Sequence, residues 1–244
     1  MRIDRTGIRQ RPEGIPLMYQ TWGKLLFLNW RIPAPLIRRL VPPRLEIDTD
    51  REGSAWITLT PFTMWNIRPP FLPPLPFASS SHELNVRTYV HLDGVPGVWF
   101  LSLEASNPLA VAAARLAFGL PYYRASMELA EEGEEVRYRS VRKHRGGARA
   151  DFSAEWRGGD PLPQAAPGTL EFFLVERYCL YTVRGGTLYR SRIHHPPWPL
   201  RQASLRCLRT NMIESHGLPT PEEEPLLLLQ GAPLKVGIWP LEKV

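Results

Sequence analysis

The chain has 244 residues, 43% hydrophobic and 22% charged, which excludes a wholly disordered protein and suits one globular barrel or sandwich. A chain this long buries enough surface to need no disulfide or metal staple. Its formal charge of +6 rests on 26 arginines and only 4 lysines, accompanied by 26 prolines. That bias has two readings, rigid loops and ion-pair networks of a thermophile or the codon bias of a GC-rich genome, and composition leaves both open.

The first 20 residues read as an N-terminal extension to a single domain spanning residues 1–244. They are arginine-rich and carry no apolar run, so they do not form a signal peptide. The longest apolar runs, residues 25–28 and 226–229, are far too short to cross a bilayer. By elimination the chain is placed in the cytoplasm without a membrane partner.

A short helix is predicted from Pro35 to Leu40, ended by Pro42 and Pro43. Residues 54–62, rich in Trp, Ile and Thr, read as a strand with Trp56, Thr58 and Thr60 on one face. The proline-rich stretch 68–76 resembles a linker in composition, but its apolar side chains predict a packed, rigid loop. Residues 82–92 alternate more clearly. Leu84, Val86, Val90 and Leu92 fall on one side, and Glu83, Asn85, Arg87, Tyr89 and His91 on the other. Asp93-Gly94 then makes a turn, and residues 98–103 return as the second arm of a hairpin.

Asn107 is a good N-cap and Pro108 suits the first helical position, so residues 109–118 read as a helix stopped by Gly119 and Pro121. Arg115 is its only charge, which predicts burial on all sides. Hairpins follow at residues 134–153, turning at Gly146-Gly147, and at 178–193, turning at Gly185-Gly186. Residues 169–176 fit a helix or a strand, and residues 234–241 close the chain as a last strand. Many short strands, frequent turns and a few short helices predict an α+β fold, mainly antiparallel β and built on a barrel.

Few motifs carry chemistry. Cys179 and Cys207 stand far apart, which excludes a Cys-rich zinc site and leaves free thiols. His194 and His195 are adjacent, so on a strand they point to opposite faces and make a poor metal pair. There is no GxGxxG, Walker loop, HExxH or GxSxG, and no cofactor or metal is expected. The basic run 137–149 offers a phosphate-binding surface, but four glutamates at 131, 132, 134 and 135 offer ion-pair partners on a solvated face. Nucleic-acid binding is therefore a minor alternative. Whether the chain forms a homo-oligomer is left open.

Four segments together carry a resemblance: His82-Glu-Leu-Asn-Val-Arg-Thr-Tyr-Val90, Pro96-Gly-Val-Trp-Phe-Leu-Ser-Leu103, Leu120-Pro-Tyr-Tyr-Arg-Ala-Ser-Met127 and Arg192-Ile-His-His-Pro-Pro-Trp-Pro-Leu200. They resemble the YqjF-like bacterial family of uncharacterised proteins, from about Trp22 to the C-terminus. That family in turn resembles acetoacetate decarboxylase, implying an antiparallel β-barrel around an apolar pocket. Where the decarboxylase carries Pro-Lys-Lys, with a lysine that forms a Schiff base, this chain has Pro121-Tyr122-Tyr123. A phenol cannot condense with a ketone to an imine, and the four lysines (Lys24, Lys143, Lys235 and Lys243) lie elsewhere in sequence. The resemblance thus implies a small-molecule pocket without imine chemistry.

Carried over residue by residue, it makes Glu83 the candidate acid or base. Asn85, Arg87, Glu104, Tyr122 and Tyr123 are candidate ligand-binding residues, with Arg87 receiving a carboxylate. The ligand class is a small organic acid, ketone or enol, met either by lyase- or isomerase-like chemistry or by binding alone. The competing view is that Glu83, Asn85 and Arg87 form the wet face of an ordinary antiparallel strand, and that the tyrosines merely pack in the core.

Overall fold

The computed structural model describes residues 3–74, 80–221 and 223–244. In chain order the first elements are β1 (Met18–Gly23), β2 (Leu25–Ile32), α1 (Ala34–Arg38), β3 (Glu46–Ile47), β4 (Ala55–Arg68), β5 (Ser81–Leu92), β6 (Val95–Ala105) and α2 (Pro108–Phe118). Then come β7 (Tyr122–Glu132), β8 (Glu135–Arg142), β9 (Asp151–Pro161), α3 (Leu170–Val175), β10 (Cys179–Arg184), β11 (Thr187–His194), β12 (Leu200–Thr210), β13 (Leu227–Gly231) and β14 (Leu234–Lys243). The chain is mainly antiparallel β with few short helices.

The ladders close on themselves twice. One ring runs β1-β14-β11-β10-β6-β5-β4 and back to β1; the other runs β6-β7-β8-β9-β12-β13-β2-β4-β5 and back to β6. Strands β4, β5 and β6 belong to both. This sharing is possible because β4 is long enough to pair with β2 through residues 55–59 and with β1 through residues 63–68. Strand β6 divides its other edge likewise, pairing with β10 at Val98 and Trp99 and with β7 at residues 103–105.

As a result β5 has no wet face. Leu84 and Val86 pack into the nine-strand ring with Tyr138, Phe152 and Trp156. Residues of opposite parity look into the seven-strand ring, whose core includes Phe27, Phe62, Tyr89, Phe173 and Trp198. The half-solvated reading of β5 is overturned: Glu83 is 3% exposed, Asn85 5% and Arg87 9%.

The β5–β6 hairpin turns on Asp93-Gly94, both at positive φ (50° and 81°), as a two-residue turn of this hand requires. Helix α2 has the expected cap, the Asn107 side chain accepting from the N–H groups of Leu109 and Ala110. Its expected burial is corrected. Only Val111 and Phe118 are buried, while Leu109 and Leu116 are 65% and 77% exposed, because the helix lies across the outside of a barrel end and touches it with one face. Residues 170–175, open between helix and strand, form α3, capped by the Thr169 hydroxyl.

The loop expected to pack after β4 does not do so where it is described: Phe71 is 87% exposed and Leu72 57%. Residues 75 and 76 of that stretch lie outside the described residues. Strand β1 begins at Met18, so the last residues of the expected extension belong to the sheet. The segment before it is tied down, Arg192 donating to the carbonyls of Ile8 and Gln10 and the Trp239 indole to that of Glu13. The acidic and basic runs meet in the Arg137–Glu132 ion pair, and their other charges pair with neighbouring segments: Arg137 with Glu155, Arg206 with Glu135 and Lys24 with Glu131.

Gly97 sits where β10 approaches β6. A Cβ there would lie 2.8 Å from the Tyr181 ring and 2.9 Å from the Cys179 carbonyl oxygen. Gly97→Ala is expected to destabilise the fold by about 1–3 kcal/mol through overpacking. Urea denaturation checks this; an unchanged midpoint would show that β10 moves away freely.

Candidate functional site

Inside the seven-strand ring lies a cavity of about 130 Å³, lined in part by α2 and by the segment after α3. Its walls are largely apolar, among them Phe27, Phe62, Leu103, Phe118 and Trp198, and into them project Thr60, Glu83, Asn85, Arg87, Tyr122, Arg177 and His195. Thr60 and Asn85 are cross-strand partners, as are Phe62 and Glu83, which places β4 and β5 side chains on the same inner wall.

Glu83 is fixed from both sides of the sheet. Its carbonyl oxygen and that of Phe62 lie 2.8 and 3.1 Å from the Tyr138 hydroxyl and share its one proton, pinning β5 against β4. Its Oε2 accepts from the Tyr122 hydroxyl at 2.7 Å. Burial pushes the Glu83 carboxyl up to about 7, although hydrogen bonds from Tyr122 and Asn85 favour its ionised form. Burial, together with the neighbouring Glu83, holds the Tyr122 phenol well above its usual range, so it remains a donor.

Tyr122 and Tyr123 part company because consecutive residues of a strand point to opposite faces. Tyr123 lies on the outer side of the cavity wall, with the Arg142 guanidinium 4.0 Å from its ring centroid and His144 edge-on at 5.3 Å. Glu104 also lies away from the cavity. It is the cross-strand partner of Leu84 and shares its face, where Arg142 donates through Nε and Nη2 at 3.1 and 2.5 Å. The structure therefore brings together Glu83, Asn85, Arg87 and Tyr122, and not Glu104 or Tyr123.

Four polar residues that line the cavity, Gln20, Thr60, Arg177 and His195, were not named as site residues from sequence. Arg177 follows α3 and is held by Asp48, to which its Nη1 donates at 2.6 Å. Thr60 contributes a hydroxyl. His195 lies stacked on Tyr178 at 4.5 Å, its Nδ1 2.8 Å from the Pro196 carbonyl, and burial lowers its pKa, keeping the ring neutral. The alternation of His194 and His195 was legible; which of them faces inward was not. Among the described residues, no group of three or more His, Cys, Asp or Glu is placed to hold a metal ion, and no lysine lines the cavity.

Four polar atoms of cavity-lining residues are buried without a hydrogen-bond partner: Thr60 Oγ1, Asn85 Oδ1, Arg87 Nε and Arg177 Nη2. Buried polar groups are paired as a rule, and these four belong to residues that line one hollow.

A family model described as an uncharacterized conserved protein, DUF2071, matches residues 19–232. The chain belongs to the DUF2071 family. It is 40% identical to the "Uncharacterized protein YqjF" of Bacillus subtilis over 232 residues, 95% of this chain and 94% of that one. The fold of the chain is that of the acetoacetate decarboxylase-like structures. The structure is similar to the enduracididine biosynthesis enzyme MppR complexed with pyruvate (TM-score 0.64, 13% identity, 93% of this chain and 90% of that one). It is equally similar to an acetoacetate decarboxylase-like enzyme from Sphingomonas wittichii RW1 (TM-score 0.64, 11% identity, 94% and 93%). An acetoacetate decarboxylase structure also matches (TM-score 0.61, 15% identity, 96% and 90%).

The raised Glu83 pKa sets a sign for stability. The folded protein holds a proton that the unfolded chain releases near 4.5, so the contribution of Glu83 to stability is fully present below that pH and is lost as pH rises to about 7. Replacing the group by Glu83→Gln removes that loss, which is on the order of 3 kcal/mol. Denaturation in urea from pH 4.5 to 8 tests it; parallel pH profiles for the two proteins would refute a protonated, buried Glu83.

Proposed function

We propose that this DUF2071 protein binds a small organic acid or ketone in the seven-strand ring and moves a proton at the carbon next to its carbonyl. Glu83 is the acid and base, Arg87 the anchor for a carboxylate, and Asn85 and Tyr122 the lining. The observation that carries the reading is the set of unpartnered polar atoms around a hollow whose one carboxyl titrates near neutrality. A group with its pKa near the working pH both takes and returns a proton efficiently. A hollow of this size admits only a few heavy atoms, far below the volume of sites for large ligands.

The likeness to a pyruvate complex supports the ligand class. The chemistry must differ from an imine route, since Tyr122 and Tyr123 stand where the resemblance puts two lysines, one of them reactive. In the step envisaged, the C–H bond breaks, its proton goes to the Glu83 carboxylate, and the electron pair moves to the carbonyl oxygen. The enolate is then reprotonated from the same carboxyl, as in isomerase-like chemistry.

Two measurements test this. In D₂O the methyl signals of pyruvate and acetone should fade with wild type and persist with Glu83→Gln, which keeps its ligand affinity. Borohydride added with either compound should label no lysine, and a labelled lysine would reinstate the imine. If no small ketone or keto acid that raises the melting midpoint exchanges its protons, the protein is a binder and Glu83 has no catalytic role.

A further inference from the structure

Arg87 comes from β5 and Arg177 from the turn after α3, yet both converge on the Tyr89 ring, their guanidinium carbons 5.8 and 4.7 Å from its centroid. Each is anchored by one α3 carbonyl. Arg87 Nη2 donates to Leu174 O at 3.2 Å, and Arg177 Nε to Phe173 O at 2.7 Å. Each keeps one buried N–H without an acceptor, Nε of Arg87 and Nη2 of Arg177.

Their charges are unevenly compensated. Asp48, fully buried, accepts from Arg177 through Oδ2 and from Arg5 of the N-terminal segment through Oδ1. Among the described residues no ion pair involves Arg87. Asp48 is therefore shared by two guanidinium groups, Arg5 and Arg177, and Arg87 is paired with no carboxylate. Arg5 is 28% exposed and reaches water, which screens its charge; the Arg87 charge stays buried. A buried charge with no counter-ion is costly, and an anion seated between the two free N–H groups removes the cost. At the other end stands the Glu83–Tyr122 pair, separated from Arg87 by roughly 13 Å of strand at about 3.3 Å per residue, with Asn85 between.

We infer that Arg87 and Arg177 form a two-armed clamp for the carboxylate of a small monocarboxylic acid. Its next oxygen-bearing carbon faces Asn85 and Glu83, and Asp48 and Arg5 are positioning residues for the Arg177 arm. This rests on the cavity's being a ligand site, as proposed above, and names its ligand as an anion held in one direction. A planar guanidinium pair suits a carboxylate because two N–H groups meet two oxygens. Arg5 acts from outside the cavity: it holds Asp48 Oδ1, so that Oδ2 is left for Arg177 alone.

Titration calorimetry with pyruvate, propionate and acetone tests the clamp. Wild type is expected to bind both acids and to prefer them over neutral acetone by at least about tenfold. Arg177→Met should abolish that preference. Arg5→Ala, which takes one partner from the buried Asp48, should weaken both acids roughly three- to tenfold and acetone far less, a selectivity that general loosening of the fold would not produce. Should Arg177→Met fail to fold, Asp48→Asn and Arg5→Ala carry the test. Equal affinity for acids and acetone in wild type, or no binding of either acid at about 10 mM, overturns the clamp. Acid affinity unchanged in Arg5→Ala overturns the positioning chain. Glu83-dependent proton exchange into acetone that survives in Arg177→Met would leave the proton-transfer reading standing while the clamp fell.

Discussion

Strand β5 is enclosed on both faces, and the candidate site depends on that constraint. An antiparallel strand ordinarily sheds its polar alternation into water. Here β4, β5 and β6 serve two closed rings at once, so the polar set Glu83, Asn85 and Arg87 is drawn into an interior lined by Phe27, Phe62 and Trp198. Desolvation then does three things together. It lifts the Glu83 carboxyl toward neutrality, leaves guanidinium N–H groups without acceptors, and makes each remaining hydrogen bond count for more than it would in water.

The two rings handle charged side chains differently. In the nine-strand ring Glu104 and Arg142 close on each other as a bidentate pair, and the Ser102 hydroxyl lies 3.2 Å from His216 Nε2. Such a pair satisfies itself and holds strands together. In the seven-strand ring Arg87 has no carboxylate, and Arg177 shares one with Arg5. The same two residue types, buried to a similar degree, are thus internally neutralised in one ring and left with unmet hydrogen-bonding capacity in the other. That contrast, rather than burial itself, separates structural charges from candidate functional ones.

Much of the local architecture was legible in sequence because it is enforced locally. The Asp93-Gly94 turn follows from positive φ at two positions, the α2 start from the Asn107 cap and Pro108, and the β5 alternation from the pleat. Misreadings arose where the answer depended on distant chain. An apolar helix was expected inside, but α2 packs through one face at a barrel end and leaves Leu109 and Leu116 in water. Tyr122 and Tyr123 were taken together, although the pleat allows only one of them to face the cavity. Glu104 was grouped with Glu83 by its position in the hairpin, and the register pairs it instead with Leu84.

By itself the sequence determined the α+β class, the strand alternation, the turns and caps, and the tyrosines at the position where a related pocket would need a lysine. Each of these depends on residue type and on neighbours a few positions away. The tertiary structure alone decided that the polar side of β5 is an inner wall, that Tyr122 and not Tyr123 reaches Glu83, and that Arg177 joins Arg87 across 90 residues of chain. Ring closure, register and the meeting of α3 with β5 are long-range contacts, and no short-range pattern encodes which distant residue will complete a pocket.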